Sequence, residues 1–390
     1  MGSKNKQKIH ICLVSAQLLA NIIPILMDRP SIVILISTTT MEDNGILKRF
    51  KQILDSANIK YDVYPDMPST DMPKIYDFAL ETSENIQDKY SDFHLTLNAT
   101  CGTKLMSQGF IEVMDKDADI IYTDTQHKRL EYLGNIKKEA IGLKNVLDIQ
   151  TYFKAYGAKY KRSESDDENW INLINSRKKV TKYLGQNIES IQGLISNLNY
   201  LVNEHALAED GLLVKPIQYL NTKPRKEWCA ALKKLNDAGL LKWEKGTEIT
   251  FIDEDKVRYL SGIWLEEYVY HIAKDESPND IKSGVKISWE NSQKTHNEFD
   301  LVVVHNNRML IIECKTMRYG KNIQKDTDIL YKIDSLGNEL KGLYGSLWLV
   351  NAQESHANMQ DRAKDRNITI IEPSNLKNLR DNIRKWMGDK

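Results

Sequence analysis

Between residues 8 and 135, short apolar runs alternate with longer stretches whose apolar positions recur at helical spacing. The runs IHICLV (9–14), SIVILIS (31–37), KYDVY (60–64), FHLTLN (93–98) and DIIYT (119–123) predict strands, and stretches at about 17–28, 42–57, 71–90 and 104–116 predict helices. Strand–helix alternation at this spacing implies right-handed crossovers and a mostly parallel, doubly wound α/β sheet, in which ligands bind beyond the C-terminal strand ends. The pattern loses regularity from about 136 to 163, and KRSESDDEN (161–169) is polar enough for a linker. Residues 170–250 read as helical as far as PRKEWCAALKKLNDAGLL (224–241), where Trp228, Ala231, Leu232 and Leu235 form one apolar face and Gly239 caps the end. LKWEKGTEITF (241–251) follows as a hairpin around Lys245 and Gly246, so helix and hairpin together suggest a winged helix. From about 256 the order is helix, hairpin, helix, strand (SLWLVNA, 346–352), helix, short strand, helix. The predicted organisation is therefore an N-terminal Rossmann-like domain over 1–150, a linker and winged-helix-like region over 151–255, and a C-terminal α/β domain over 256–390.

Composition narrows the function. A chain of 390 residues is too long for one ordinary core, and 41% hydrophobic with 28% charged residues is globular. The 54 basic and 54 acidic side chains cancel, so no global field attracts nucleic acid and any positive patch must be local. That disfavours a non-specific nucleic-acid coat protein and leaves an enzyme with a small site open. Cys12, Cys101, Cys229 and Cys314 are far apart and form no CxxC pair, which argues against zinc-ribbon and disulfide frameworks and suits a reducing cytoplasm. Lys4, Lys6 and Lys8 ahead of IHICLVSAQLLANIIPILM superficially resemble a signal peptide. However, His10, Ser15, Gln17 and Asn21 interrupt the stretch and Pro24 and Asp28 lie near its end, a pattern better explained by strand, turn and helix. No run reaches the length of a membrane span, so the expected location is cytoplasmic, away from any membrane.

The chemistry concentrates in NEFDLVVVHNNRMLIIECKT (297–316). Two β-branched runs flank His305-Asn306-Asn307-Arg308, and asparagine tolerates the positive φ of a two-residue hairpin turn. That register places Asp300 opposite Glu313 and Glu298 opposite Lys315, all on one face. Opposed carboxylates repel at a Cβ separation of roughly 5 Å. A hard divalent cation such as Mg²⁺ reverses the penalty, activates water and neutralises phosphoryl charge, with Lys315 as a further positive charge. The competing reading, a surface hairpin with a weak Glu298–Lys315 ion pair, leaves the Asp300–Glu313 opposition unexplained. Upstream, SGIWLEEYVY (261–270) predicts an amphipathic helix carrying Glu266 and Glu267. Helix Glu, strand Asp, then Glu-x-Lys resembles the PD-(D/E)xK restriction-endonuclease-like nucleases, with Phe299-Asp300 in place of the usual Pro-Asp. The resemblance implies catalytic Asp300, Glu313 and Lys315, with Glu266 as the helix acid, and a metal held by Asp300, Glu313 and the carbonyl of Cys314.

The N-terminal loops point to a different ligand. VSAQLLAN after the first strand lacks the GxGxxG of dinucleotide-binding domains, and STTTMED (37–43) offers hydroxyls, so a hydride-transfer cofactor is disfavoured. NATCGTKLMSQG (98–109) follows the fourth strand, and a helix starting near Lys104 aims its N–H groups at whatever lies above, a place for phosphate. The bland alternative is a tight strand-to-helix turn with a threonine cap. Ser15, Ala16 and Gln17, then Thr38 and Thr39, then Asn98, Thr100, Gly102, Thr103 and Lys104 converge at one sheet edge, where Asp124 and Thr125 are candidates to join them. This set suits a phosphate-rich nucleotide with several bases. The VSAQ turn and the GTK loop resemble the CARF domains of type III CRISPR ancillary proteins. With the nuclease-like end, the whole chain resembles the CARF-fused nucleases activated by cyclic oligoadenylate. The resemblance implies a homodimer binding a cyclic oligoadenylate, tetra-adenylate by preference, across its two-fold axis. It further implies Mn²⁺- or Mg²⁺-dependent cleavage of single-stranded RNA and DNA, with nicking of duplex DNA. The alternative is a cyclic-oligoadenylate-responsive winged-helix transcription regulator with an inactive nuclease-like domain, kept open by Lys226, Lys233 and Lys234. Nothing in the sequence marks a base or nucleophile for degrading the activator at the CARF site.

Overall fold

The computed structural model describes residues 7–134, 138–290, 292–316, 330–331, 333–335, 337, 340 and 345–388. The chain divides into two compact units, Met1–Lys159 and Tyr160–Lys390.

In the first unit every predicted strand forms: β1 (Lys8–Leu13), β2 (Ile32–Ile36), β3 (Lys60–Tyr64), β4 (His94–Asn98) and β5 (Ala118–Asp124). They pair in parallel in the order β3-β2-β1-β4-β5. Ile9, Ile11, Leu13, Ile34 and Ile36 are fully buried, which is why these strands read as continuous apolar runs: helices cover both faces. The strand order reverses between β1 and β4, whose ladder runs from Lys8–His94 to Cys12–Asn98. The crevice above two such strands is where doubly wound sheets take ligands. Helices α1 (Leu19–Asp28), α4 (Met72–Lys89) and α5 (Lys104–Met114) follow the predicted stretches. The stretch expected as one helix at 42–57 is two, α2 (Thr39–Asp43) and α3 (Ile46–Ser56), because Gly45 takes φ 72° between them. Two antiparallel strands that the sequence did not announce, β6 (Arg129–Leu133) and β7 (Ile141–Gly142), extend the edge beyond β5, and α6 (Ile149–Ala155) follows.

The second unit is a six-stranded sheet of order β16-β15-β14-β13-β12-β8. Its strands are β8 (Ala158–Arg162), β12 (Asp280–Trp289), β13 (Ser292–His305), β14 (Arg308–Lys315), β15 (Gly345–Asn351) and β16 (Ile368–Ile371). The expected linker at 161–169 is thus corrected. Its start belongs to edge strand β8, and Glu164–Asp166 form a 3₁₀ turn in which the Asp166 carboxylate accepts from the Ser163 N–H. Lys282 of β12 bonds Asp166 at 2.6 Å, and the Ser283 N–H donates to Ser165 Oγ at 3.0 Å, tying the turn to the sheet. Strand β12 was also unforeseen. Residues 151–255 do not stand as a compact unit of their own. The span holds α7 (Glu168–Leu201), a 34-residue helix, then α8 (Lys226–Asp237) and a small sheet of β9 (Ile217–Tyr219), which precedes α8, with β10 (Leu241–Lys242) and β11 (Glu248–Phe251). Ala231, Leu232 and Leu235 of α8 are fully buried as their spacing predicts, and Gly239 takes φ 68° past the helix end. The short helix α9 (Glu254–Arg258) precedes α10 (Trp264–Asp275), which carries the expected Glu266 and Glu267. Beyond β15 lie α11 (Ala357–Asp365), α12 (Pro373–Leu376) and α13 (Leu379–Met387). Among the described residues no helix is long and apolar enough to cross a membrane.

Candidate functional site

The β13–β14 hairpin turns on Asn306 (φ 51°) and Asn307 (φ 57°), the two successive left-handed residues of a type I′ turn. The ladder runs from His305–Arg308 to Leu301–Ile312, the predicted register. The ladder ends one step short of Asp300 and Glu313, where the Asp300 carboxylate accepts the Cys314 N–H, with Oδ2 at 2.7 Å. Glu313 is buried, and Lys315 Nζ lies 2.7 Å from Glu313 Oε1, 3.0 Å from the Cys314 carbonyl oxygen and 3.7 Å from Asp300 Oδ2. One ammonium therefore gathers the very acceptors expected to hold a metal. Burial alone would lower the Lys315 pKa, but the charges of Asp300 and Glu313 outweigh it and keep the ammonium protonated. The Cys314 thiol is fully enclosed and pushed well above its ordinary value by burial, so only its backbone carbonyl is offered.

Glu266 joins this group electrostatically. Its carboxyl is pushed up to about 9, by burial first and then by the charge of Asp300, with Glu164 and Glu313 adding and Lys315 opposing. The neighbouring Glu267 does not participate. It is completely buried and engages Arg177 of α7 through two contacts, Arg177 Nε to Glu267 Oε2 at 2.9 Å and Nη2 to Oε1. Adjacent positions on a helix point about 100° apart, which is how one acid serves the centre and the other the helix–helix interface. Glu298, which the predicted register sets opposite Lys315, forms its ion pair with Lys286 of β12 instead, at 3.3 Å. β13 has a partner on each edge, and the unseen β12 claims Glu298. The sequence also gave no hint of Glu164, whose side chain crosses Gly284 of β12, where a Cβ would come within 2.5 Å of Glu164 Cγ. Its carboxyl is raised by desolvation and by Glu298.

Among the described residues no three His, Cys, Asp or Glu side chains form a ready metal cage. Two carboxylates and a carbonyl already gathered by an ammonium nevertheless fit a hard divalent ion that retains water for its remaining positions.

In the first unit, the turn after β1 and the loop after β4 meet: the Cys101 thiol approaches the Gln17 carbonyl at 3.6 Å. The predicted ligand residues separate into two roles. Asn98 is fully buried; its Nδ2 donates to the Ala20 carbonyl and its Oδ1 accepts from the Thr100 N–H and hydroxyl. Thr100 Oγ1 in turn accepts from the Thr123 N–H at 2.7 Å, so Asn98 and Thr100 staple the loop from beneath. Thr38 caps α2 and is buried, while Thr39 is exposed and bonds Asp66. Ser15 Oγ accepts from the Gln17 N–H, leaving Ala16 and Gln17 at the surface. Gly102, Thr103 and Lys104 are exposed, and Thr103 caps the eleven-residue α5 by accepting from the Met106 N–H. Gly102 takes φ 85° and rests on Leu13, where a Cβ would meet the Leu13 Cδ1 at 3.0 Å. Asp124 bonds His127 through both its oxygens.

Comparison with known proteins agrees with this division. Residues 9–152 match the Card1 CARF domain, and residues 253–389 match the Card1-like endonuclease domain. No curated protein matches the chain significantly. Among solved structures, protein VC1899 from Vibrio cholerae superposes with TM-score 0.82 at 24% identity over 98% of both chains. Can2 from Sulfobacillus thermosulfidooxidans, solved in complex with cyclic tetra-adenylate, superposes with TM-score 0.76 at 23% identity over 97% of both chains. A type III CRISPR defence DNA nuclease activated by cyclic oligoadenylate gives TM-score 0.54 at 14% identity, with 90% of this chain covering 46% of that one. At these identities the superpositions speak for fold, and the two domain matches for family. The chain therefore carries a Card1 CARF domain followed by a Card1-like endonuclease domain.

Proposed function

We propose that the chain is a divalent-metal-dependent endonuclease acting on single-stranded RNA and DNA, active as a homodimer and switched on by a cyclic oligoadenylate, tetra-adenylate by preference, in type III CRISPR defence. The observation that carries the catalytic part is the convergence of Asp300, Glu313, the Cys314 carbonyl and Lys315 Nζ within one cluster beside Glu266. Asp300, Glu313 and the Cys314 carbonyl would hold Mn²⁺ or Mg²⁺. The bound ion supplies charge neutralisation at the phosphodiester and a more acidic water. Lys315 keeps a positive charge and three N–H donors beside the attacked phosphate. Glu266, whose carboxyl is raised by burial and by the charge of Asp300, would stand as the helix acid beside this centre.

For the switch, Gln17, Thr39, Gly102, Thr103 and Lys104 are exposed on the segments that follow β1, β2 and β4, and the α5 N-terminus would offer N–H groups to phosphate. Exposed Tyr76, Leu80 and Leu105 on α4 and α5 offer apolar surface for a second copy. A hundredfold preference of the activator for the active arrangement corresponds to about 2.7 kcal/mol of bias. The test is cleavage of single-stranded RNA, single-stranded DNA and plasmid with Mn²⁺, with and without cyclic tetra-adenylate. Cleavage should require both and vanish in Glu313→Ala. Equal cutting without activator would refute the switch, and duplex binding without any cutting would favour the winged-helix regulator.

A further inference from the structure

Along the second half of α7 and into the turn that follows, Gly193, Ser196, Asn197, Tyr200, Asn203 and Glu204 recur at three- and four-residue spacing and share one face. Together with Asn221, Thr222, Trp228 of α8 and Thr316, the residue after Lys315, they line an open cavity of about 740 Å³ with mixed polar and apolar walls. Asn197 and Asn199 are 9% and 8% exposed, and the Oδ1 of each has no hydrogen-bond partner among the described residues. A buried amide oxygen left unpaired is costly and rare. Both residues line the cavity, and turning the Asn197 amide would bring its oxygen, shielded as it stands, to a donor there. Asn199 Nδ2 donates to both the carbonyl and the hydroxyl of Thr316 at 3.0 Å, which fixes its Oδ1 as the free acceptor. Thr316 is locked from the other side as well, its hydroxyl donating to the Ser261 carbonyl at 2.9 Å.

Two aromatic side chains, Trp228 and Tyr200, also line it. A Cβ on Gly193 would come within 2.7 Å of the Trp228 ring, so the glycine lets the indole lie against the α7 backbone. Tyr200 is half exposed at the rim, edge-on to His205. Asn203 and Glu204 sit in a π-helical turn, Val202–Ala206, a distortion that recurs at functional sites. Amide acceptors between aromatic faces match an unstacked nucleobase, which proteins hold by stacking and by bonds to its edge. The cavity wall is also close to the chemistry: consecutive Cα atoms are about 3.8 Å apart, less than the length of one nucleotide, and Thr316 directly follows Lys315.

We propose that this cavity takes one unstacked, amine-bearing base of the single-stranded substrate, beside the phosphodiester cleaved at the Asp300–Glu313–Lys315 centre. The inference rests on the endonuclease reading above and adds base contacts to it. It is tested with the full-length Glu313→Gln protein and a labelled single-stranded oligodeoxyadenylate, by fluorescence anisotropy. An abasic residue is walked through the strand, and then purine, which lacks the N6 amine, replaces adenine at the sensitive position. One abasic position should weaken binding about tenfold, the scale of losing one stacked base. Purine at that position should weaken it severalfold. Asn197→Leu should abolish the sensitivity to the amine, and Asn197→Asp, which keeps an acceptor, should retain it. A flat abasic scan, or an amine penalty undiminished in Asn197→Leu, overturns the proposal. Wild-type protein that cleaves no strand, with the base scan intact in Glu313→Gln, sinks the endonuclease reading and leaves base binding standing. Cleavage by wild type alongside a flat scan sinks only the base site.

Discussion

Glu266 and Glu267 are chain neighbours with opposite fates, and the difference is what surrounds each carboxylate. Glu267 is fully buried against Arg177, which also lies 4.4 Å from the Tyr259 ring centroid. Its two contacts offset the desolvation, and burial still raises its carboxyl above the ordinary range. Removing one partner of such a pair strands a buried charge, at a cost of about 3–5 kcal/mol. Glu267→Leu should therefore lower the urea midpoint sharply, while Arg177→Met/Glu267→Leu together recover most of the loss. Glu266→Gln behaves in the contrary way. It removes a carboxyl that already resists ionisation beside Asp300, so stability should hold or rise while cleavage is lost. A Glu266→Gln protein that unfolds early but cuts normally would reverse the two roles assigned here.

At the scale of elements, α7 and α10 meet at His271, which is 2% exposed and bonds the Ile174 carbonyl at 3.2 Å. Its pKa falls from 6.5 to about 4, through burial first, with Lys178 and Lys182 adding and Asp275 and the Ile174 bond opposing. The unfolded chain takes up this proton at higher pH than the folded one does. Stability from the neutral ring is thus complete above about pH 6.5 and is lost as pH falls toward 4, up to roughly 3 kcal/mol. His271→Phe should flatten the fall in urea stability across that window, and an unchanged slope would contradict the assignment. The helices and apolar strands around this interface were legible because their periodicity is set by the core they build. The hairpin was legible because two asparagines and β-branched runs leave one register. β12 was not: Ser283 and Ser288 are buried polar residues and Gly284 takes φ 60°, so its apolar alternation is broken. β8 read as linker because an edge strand exposes most of its polar side chains. The ion pair of Glu298 with Lys286 was missed for the first of these reasons, since a strand that is not foreseen cannot compete for its partner. The asparagine face of α7 was equally silent, because residues that suit a ligand match no core template.

For the whole molecule, two compact units carry two proposed ligands, and this makes their stabilities separable. Unfolding of such a chain is not expected to be two-state. A ligand that binds only the folded form adds RT ln(1 + [L]/Kd), about 2.7 kcal/mol at a hundredfold excess over Kd. In a unit of about this size that is a shift of roughly 5–10 °C. Calorimetry should therefore show cyclic tetra-adenylate raising the transition of the N-terminal unit and Mn²⁺ raising that of the C-terminal unit. Gly102→Val supplies the control, since its side chain would force φ 85° on a branched residue and press on Leu13. That variant should lose the cyclic tetra-adenylate shift and keep the Mn²⁺ shift, whereas Asp300→Asn should do the reverse. Any displacement of the C-terminal transition by cyclic tetra-adenylate alone, absent in Gly102→Val, measures the coupling between the units directly. Linkage requires the same coupling in return, so Mn²⁺ must then tighten cyclic tetra-adenylate binding by the equivalent factor. An activator effect on cleavage with neither half of that reciprocity would place the switch in the rate of the chemical step rather than in metal binding.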